Sequence, residues 1–229
     1  MIELMTYGPS FGQAAASPFC VKAMMLLNMA REAWKPVILT DPRKMPMAKL
    51  PVIRADGELI ADSDNIRAWL EARGADFDKG LTVHQRAQSR ALIRMVEEHL
   101  YFHVVYDRWA DDAVWPVTRD TYFTDIPRPI RGIVTHSIRK PAVRSLHQMG
   151  IARFTPQERL ARAQLDLTAI RDSLTGPFLF GEKPTAADAS IAPQLGGIMA
   201  TPVPTLLGNA LRADTVLADY VTRVNEALL

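Results

Sequence analysis

The pairing Ser17-Pro18 marks a helix start, with Ser17 at the N-cap and Pro18 at N1, and it places Cys20 at N3 in the first turn. The first turn of a helix leaves backbone N–H groups unpaired and carries a partial positive charge, which stabilises an anion by about 0.3 to 1 kcal/mol. A thiolate is such an anion. Two readings follow for Cys20: a thiol of lowered pKa, or a small buried apolar residue. Ser17 can cap its helix, donate its hydroxyl to a thiolate that arrives with a substrate, or do both.

Lys49-Leu50-Pro51-Val52 puts a proline at the first residue of a strand, where a missing N–H does least harm. X-Pro bonds are the ones at which cis is accessible, and a cis bond here would turn the N–H and C=O of Leu50 outward, so that a peptide could pair with it as a short extra strand. Asp62-Ser63 ends another strand and starts a helix; Ser63 reads as its N-cap, and the position beside it suits a carboxylate. The plainer reading is that Ser63 only caps its helix.

Two other constellations fail on spacing. His99 and His103 stand four apart, but Leu100 occupies the place where H-E-x-x-H requires glutamate, and Glu97-Glu98 precede the pair, so no metal is expected. Ser137-Ile138-Arg139-Lys140 matches S-x-x-K without any companion motif. No P-loop and no G-x-G-x-x-G is present.

Strands are expected at 2–7, 35–39, 52–55 and 58–61, with Asp56-Gly57 as the hairpin turn between the last two. Helices are expected after Ser17 and from about Ser63, where Ile66, Trp69 and Leu70 fall at i, i+3 and i+4. This β-α-β, then β-β-α order describes a small α/β sandwich whose first helix crosses between parallel strands. Beyond the linker 74–80 the spacing is helical: Leu92, Val96, Leu100, Tyr101, Val104, Val105 and Trp109 form one stripe. Thr155-Pro156-Gln157-Glu158 and Thr185-Ala186-Ala187-Asp188 read as capping boxes, and a last helix runs from about Leu211 to Leu228.

The chain has 229 residues, 48% of them hydrophobic, enough for one large domain or two small ones. A single cysteine excludes an intramolecular disulfide and all-cysteine metal sites. Charge is balanced, 27 basic against 25 acidic residues. The local excess Arg128, Arg131, Arg139, Lys140, Arg144 and Arg153 lacks interleaved aromatics, so a solvated basic face is expected rather than a nucleic-acid platform. The N-terminus has no signal-peptide pattern and no stretch approaches about 20 uninterrupted apolar residues, so a soluble cytoplasmic protein without a membrane span is expected.

A thiolate site at one helix start, a proline turn with exposed backbone and a carboxylate site at a second helix start converge. The chain resembles a cytosolic-type glutathione S-transferase over essentially its whole length. Ser17-Pro18-Phe19-Cys20 with Lys22, the stretches Ala61-Asp62-Ser63 and Glu98-His99-Leu100-Tyr101, and the segment Phe180–Asp188 resemble the failed-axon-connections and metaxin-related branch of that superfamily. The resemblance implies an α/β thioredoxin-like N-terminal domain, residues 1–75, and an all-α helical bundle, residues 82–229. It implies glutathione as co-substrate, with Leu50 before a cis-Pro51 pairing with the cysteinyl unit. Asp62 and Ser63 would hold the γ-glutamyl carboxylate and Lys49 the glycyl carboxylate. The thiolate partner is expected at Ser17 first, Tyr7 second and Cys20 third. Phe11, Tyr101, Tyr106 and Trp109 would line the hydrophobic co-substrate site, although helical spacing also fits plain core for the last three.

The function expected first is transfer of glutathione to a small electrophile by a homodimer, without metal or nucleic acid. A non-catalytic interaction or ligand-binding protein on the same scaffold is the second reading. A glutathione-dependent thiol reductase using Cys20 is the third; Ser17 stands where a redox relative would carry its attacking cysteine.

Overall fold

Alternating apolar residues at the N-terminus pair as β1 (Ile2–Thr6), which runs parallel to β2 (Trp34–Ile38) on one side and antiparallel to β3 (Val52–Ala55) on the other. β4 (Glu58–Ala61) completes a four-stranded mixed sheet of order β2-β1-β3-β4. Pro36, which cannot donate to a ladder, sits on the edge strand β2. Asp56 and Gly57 both adopt left-handed φ, +52° and +84°, as a two-residue hairpin between β3 and β4 requires. This computed structural model describes all 229 residues.

Between β1 and β2 lies α1 (Pro18–Met29), and after β4 follows α2 (Ser63–Ala72). α1 is buried almost all round, Cys20 through Leu27 without interruption, because the sheet covers one side and the second half of the chain the other. Within that apolar run stands Lys22, 1% exposed.

The second half is helical. α3 (Val83–Met95) continues through a π-turn (Val96–Leu100), α4 (Tyr101–Val105) and a second π-turn (Tyr106–Ala110) as one rod that carries the anticipated apolar stripe. Then come α5 (Trp115–Tyr122), α6 (Arg128–Gln148), α7 (Pro156–Asp172), α8 (Ala186–Met199), α9 (Leu206–Ala213) and α10 (Thr215–Leu228). Both capping boxes form: Thr155 N–H donates to Glu158 at 2.8 Å and Thr185 N–H to Asp188 at 2.7 Å. The single last helix expected from Leu211 is instead two helices broken at Asp214, whose carboxylate caps α10 by accepting from Leu217 N–H. α8 is buried along nearly its entire length and packs against α1, so one apolar core runs through both halves. No helix is long and apolar enough to cross a membrane.

Candidate active site

Where the C-terminal edge of β1, the start of α1, the Leu50–Pro51 turn and the start of α2 meet the long helical rod, the surface opens into a cleft of about 1360 Å³. Tyr7, Ser17, Lys49, Leu50, Pro51, Asp62, Ser63, Tyr101 and Trp109 all line it. The structure thus brings nine of the twelve sequence-selected residues to one cavity.

The Leu50–Pro51 peptide bond is cis. Leu50 lies outside the ladders, and its N–H and C=O pair with no other backbone group, so a peptide can add there in strand fashion. Ser17 is the N-cap of α1 by position, but its side chain makes no capping hydrogen bond; its carbonyl instead accepts from Cys20 and Val21 N–H at 3.0 and 3.2 Å. Ser17 lines the cleft with its hydroxyl in polar contact with the Cys20 thiol, and the first-turn N–H of Phe19 is unpaired. At α2 the expected cap is displaced by one residue. Asp62, at φ +79°, is the N-cap and accepts from Asp64 N–H at 2.8 Å, so Ser63 is already in the helix with its own N–H unpaired. Tyr7 remains a neutral phenol, its pKa pushed up to about 12 by burial, with Cys20, Tyr101 and Asp41 adding to the shift.

Three expectations fail on geometry. Cys20 has no exposed surface, and burial pushes its thiol pKa up; polar contacts from Thr6, Tyr7 and Ser17 offset this only partly. Neither the acidified thiol nor a reductase working through it survives, because the N3 side chain of α1 turns into the core. Phe11 falls outside the cleft lining and packs its ring on Tyr122, centroids 5.6 Å apart. Tyr106, also outside, lies under the Arg159 guanidinium at 3.7 Å; five residues past Tyr101, it points away from the cleft.

The long rod supplies residues that sequence reasoning passed over: Arg94, Glu97, Glu98 and Arg108 line the cleft on the same stripe as Tyr101. Their spacing from Tyr101, three to seven residues, was the available signal. Tyr122 at the end of α5 had none. Lys22 donates to Asp64 at 2.6 Å and Glu97 at 2.7 Å, and Arg94 bridges the same two carboxylates at 2.5 and 2.6 Å. Burial works to raise the Asp64 pKa, but Lys22, Arg94 and Arg90 outweigh it and hold the carboxyl low. For the deeper Glu97, burial wins and the pKa is raised.

The sequence profile of the glutathione S-transferase N-terminal domain matches residues 18–114. The isoprene-epoxide glutathione S-transferase of Rhodococcus sp. (strain AD45) is 28% identical over 99% of this chain and 98% of its own. Human metaxin-2 is 25% identical over 68% of this chain, a match that spans only 60% of metaxin-2. Among solved structures, a glutathione S-transferase from Rhodospirillum rubrum superposes with a TM-score of 0.61 at 20% identity, covering 98% of this chain and 88% of that one. Residues 18–114 thus match the glutathione S-transferase N-terminal domain, and the chain as a whole is similar in sequence to a glutathione S-transferase and, over a shorter stretch, to metaxins, with the fold of the solved glutathione S-transferases.

Proposed function

We propose that the chain is a glutathione transferase that binds glutathione along Leu50, favours its thiolate at the start of α1, and adds the sulfur to a small apolar electrophile held against the long rod. The observation that carries this reading is the meeting, in one cleft, of an unpaired backbone at Leu50, the Ser17 hydroxyl and the Ser63 helix start. Ser63 is suited to the γ-glutamyl carboxylate. Asp62, itself negative, is suited to the α-ammonium beside it, in place of the shared carboxylate role that the resemblance implied. Lys49, which makes no ion pair and lines the cleft, is suited to the glycyl carboxylate. Rate enhancement then comes from thiolate formation near neutral pH and from proximity.

Ser17→Ala tests the thiolate step. Removing a hydrogen bond to a charged sulfur is expected to raise the pKa of bound glutathione by about one to two units, read from ultraviolet thiolate absorbance against pH. Identical titrations for variant and parent would remove Ser17 from the mechanism.

The metaxin likeness supports a second reading, a non-catalytic binding protein on the same scaffold. Calorimetry separates the two, since no heat of binding at millimolar glutathione would leave only the second. The full-length match to a transferase favours the first. A cytoplasmic homodimer completes the proposal, on the superfamily likeness and the general prevalence of two-fold dimers.

A further inference from the structure

α6 is 21 residues long, yet only Thr135 and Leu146 on it are buried. It lies along the second π-turn of the rod and the short turn Ile151–Arg153. Arg139 pins it there, donating to Trp109 C=O at 2.6 Å, to Ala110 C=O at 3.0 Å and to Asp112 at 2.7 Å. The opposite side faces solvent, and its residue types are not those of a solvated face. Ile130, Val134 and Ile138 follow at i, i+4 and i+8, with Ile133 in the adjoining row; in that order they are 49%, 36%, 41% and 75% exposed. Four large aliphatic side chains in one stripe are costly to leave in water, and a contiguous patch of this kind marks an interaction surface.

Beside Ile133 runs a basic row, His136, Lys140 and Arg144, again four residues apart. No acid occurs between positions 126 and 157; Asp125 and Glu158 lie beyond the two ends of the helix. Arg131 and Arg139 are held by Asp120 and Asp112, at 3.8 and 2.7 Å. Lys140 and Arg144 are exposed and pair with no acid. A partner for this face must therefore offer apolar depth and negative charge together. An anionic lipid surface does, with acyl chains beneath a layer of charged headgroups. Nucleic acid offers the charge, but its bases stack on aromatic rings and this stripe is aliphatic. A second copy docked about a two-fold axis would bring two basic helices together with no acid on either to neutralise them.

We propose that the exposed face of α6 docks on an anionic bilayer, its Ile130–Ile138 stripe among the upper acyl chains and Lys140 and Arg144 at the lipid headgroups. Ile133, Val134 and Ile138 also line the cleft. The stripe is thus the outer lip of the cleft, and docking turns the cleft mouth towards the bilayer. The inference goes beyond the transferase reading and does not rest on it; with that reading, a lipophilic acceptor enters the cleft from the membrane.

The experiment is co-sedimentation of the full chain with vesicles of phosphatidylcholine alone and of equimolar phosphatidylcholine and phosphatidylserine. The parent is expected to sediment with the mixed vesicles at low salt and to be released as salt approaches the molar range, where charge is screened within about 3 Å. Lys140→Ala with Arg144→Ala is expected to weaken binding roughly tenfold or more, each basic side chain at such a surface contributing about fivefold. Ile130→Ser with Ile133→Ser, at exposed positions where the urea midpoint stays at the parent's value, is expected to weaken it at least as much. A parent that binds neither vesicle, or both equally, overturns the inference, as does binding that both double variants retain. A parent dimeric in sedimentation equilibrium, with the Ile130→Ser, Ile133→Ser variant monomeric, assigns the face to a second copy and overturns it. Retention of single-stranded RNA without vesicle binding, abolished by Lys140→Ala with Arg144→Ala, assigns the face to nucleic acid and overturns it too.

Discussion

His103, 3% exposed on the long rod, shows what burial does to a single titrating group. Its Nε2 has no partner, and burial, with His99, Arg159 and Arg162 adding their charge, pushes its pKa down to about 4. An unfolded histidine titrates near 6.5, so between about pH 6.5 and 4 the unfolded chain takes up a proton that the native state cannot. Stability is lost as pH falls through that window, by roughly 3 kcal/mol at most. Asp107 works the other way: burial raises it to about 6, so the native state holds a proton that the unfolded chain releases, and stability is gained on acidification. His103→Leu removes only the first effect. Its urea midpoint is expected to drop less than the parent's between pH 7 and pH 5, and equal drops would show that His103 does not control acid sensitivity. Spacing made the His99/His103 pair visible and its missing glutamate ruled out the zinc motif, but burial by α7 and α8 is a long-range fact that no local window contains. The same reason explains Cys20, whose local signature at a helix start was correct and whose reactivity was decided by the core it faces.

At the scale of elements, caps were legible and breaks were not. Thr185-Ala186-Ala187-Asp188 reads as a capping box because the reciprocal bonds involve residues three apart. The sequence does not show that Asp188, with no exposed surface, also accepts from Leu179 N–H at 3.0 Å and from Tyr220 O–H at 3.0 Å, tying α8 to α10. Asp188→Ala therefore orphans four buried donors, the N–H of Leu179, the hydroxyl of Tyr220 and the N–H and hydroxyl of Thr185, at about 1 to 3 kcal/mol each, and is expected to cost roughly 4 kcal/mol or more in urea denaturation. Asp188→Asn, which keeps acceptor oxygen, is expected to cost less; equal losses would mean that packing rather than hydrogen bonding sets the value. The break at Asp214 escaped notice because no proline or glycine stands between Asn209 and Leu229 to mark it. α5 and α6 escaped because Pro116, Pro129 and Pro141 interrupt the pattern, although the first two sit in first turns where proline is tolerated.

Across the whole molecule, the halves are joined by an apolar core with an ionic knot inside it. Lys22 of α1, Asp64 of α2, and Arg94 and Glu97 of the rod lie within mutual bonding distance, and Asp64 and Glu97 also line the cleft. The buried Glu97 and the half-buried Asp64 share the buried Lys22 as counter-charge, so Lys22→Met is expected to destabilise by about 3 to 5 kcal/mol. Lys22→Met with Glu97→Leu removes one uncompensated carboxylate and should recover part of the loss; no recovery would mean that Lys22 acts by packing alone. The sequence by itself determined the strand and helix order of the first half, the Leu50–Pro51 and Asp62-Ser63 features and the capping boxes, because these depend on φ/ψ preferences and partners within a few residues. Tertiary structure alone decided that Cys20 is buried with its thiol pKa pushed up, that Asp62 rather than Ser63 is the cap, and that Arg108 and Tyr122, 14 residues apart across a turn, meet at 2.7 Å beside the cleft. Burial and charge pairing depend on which surfaces come together, and only the packed chain specifies those contacts.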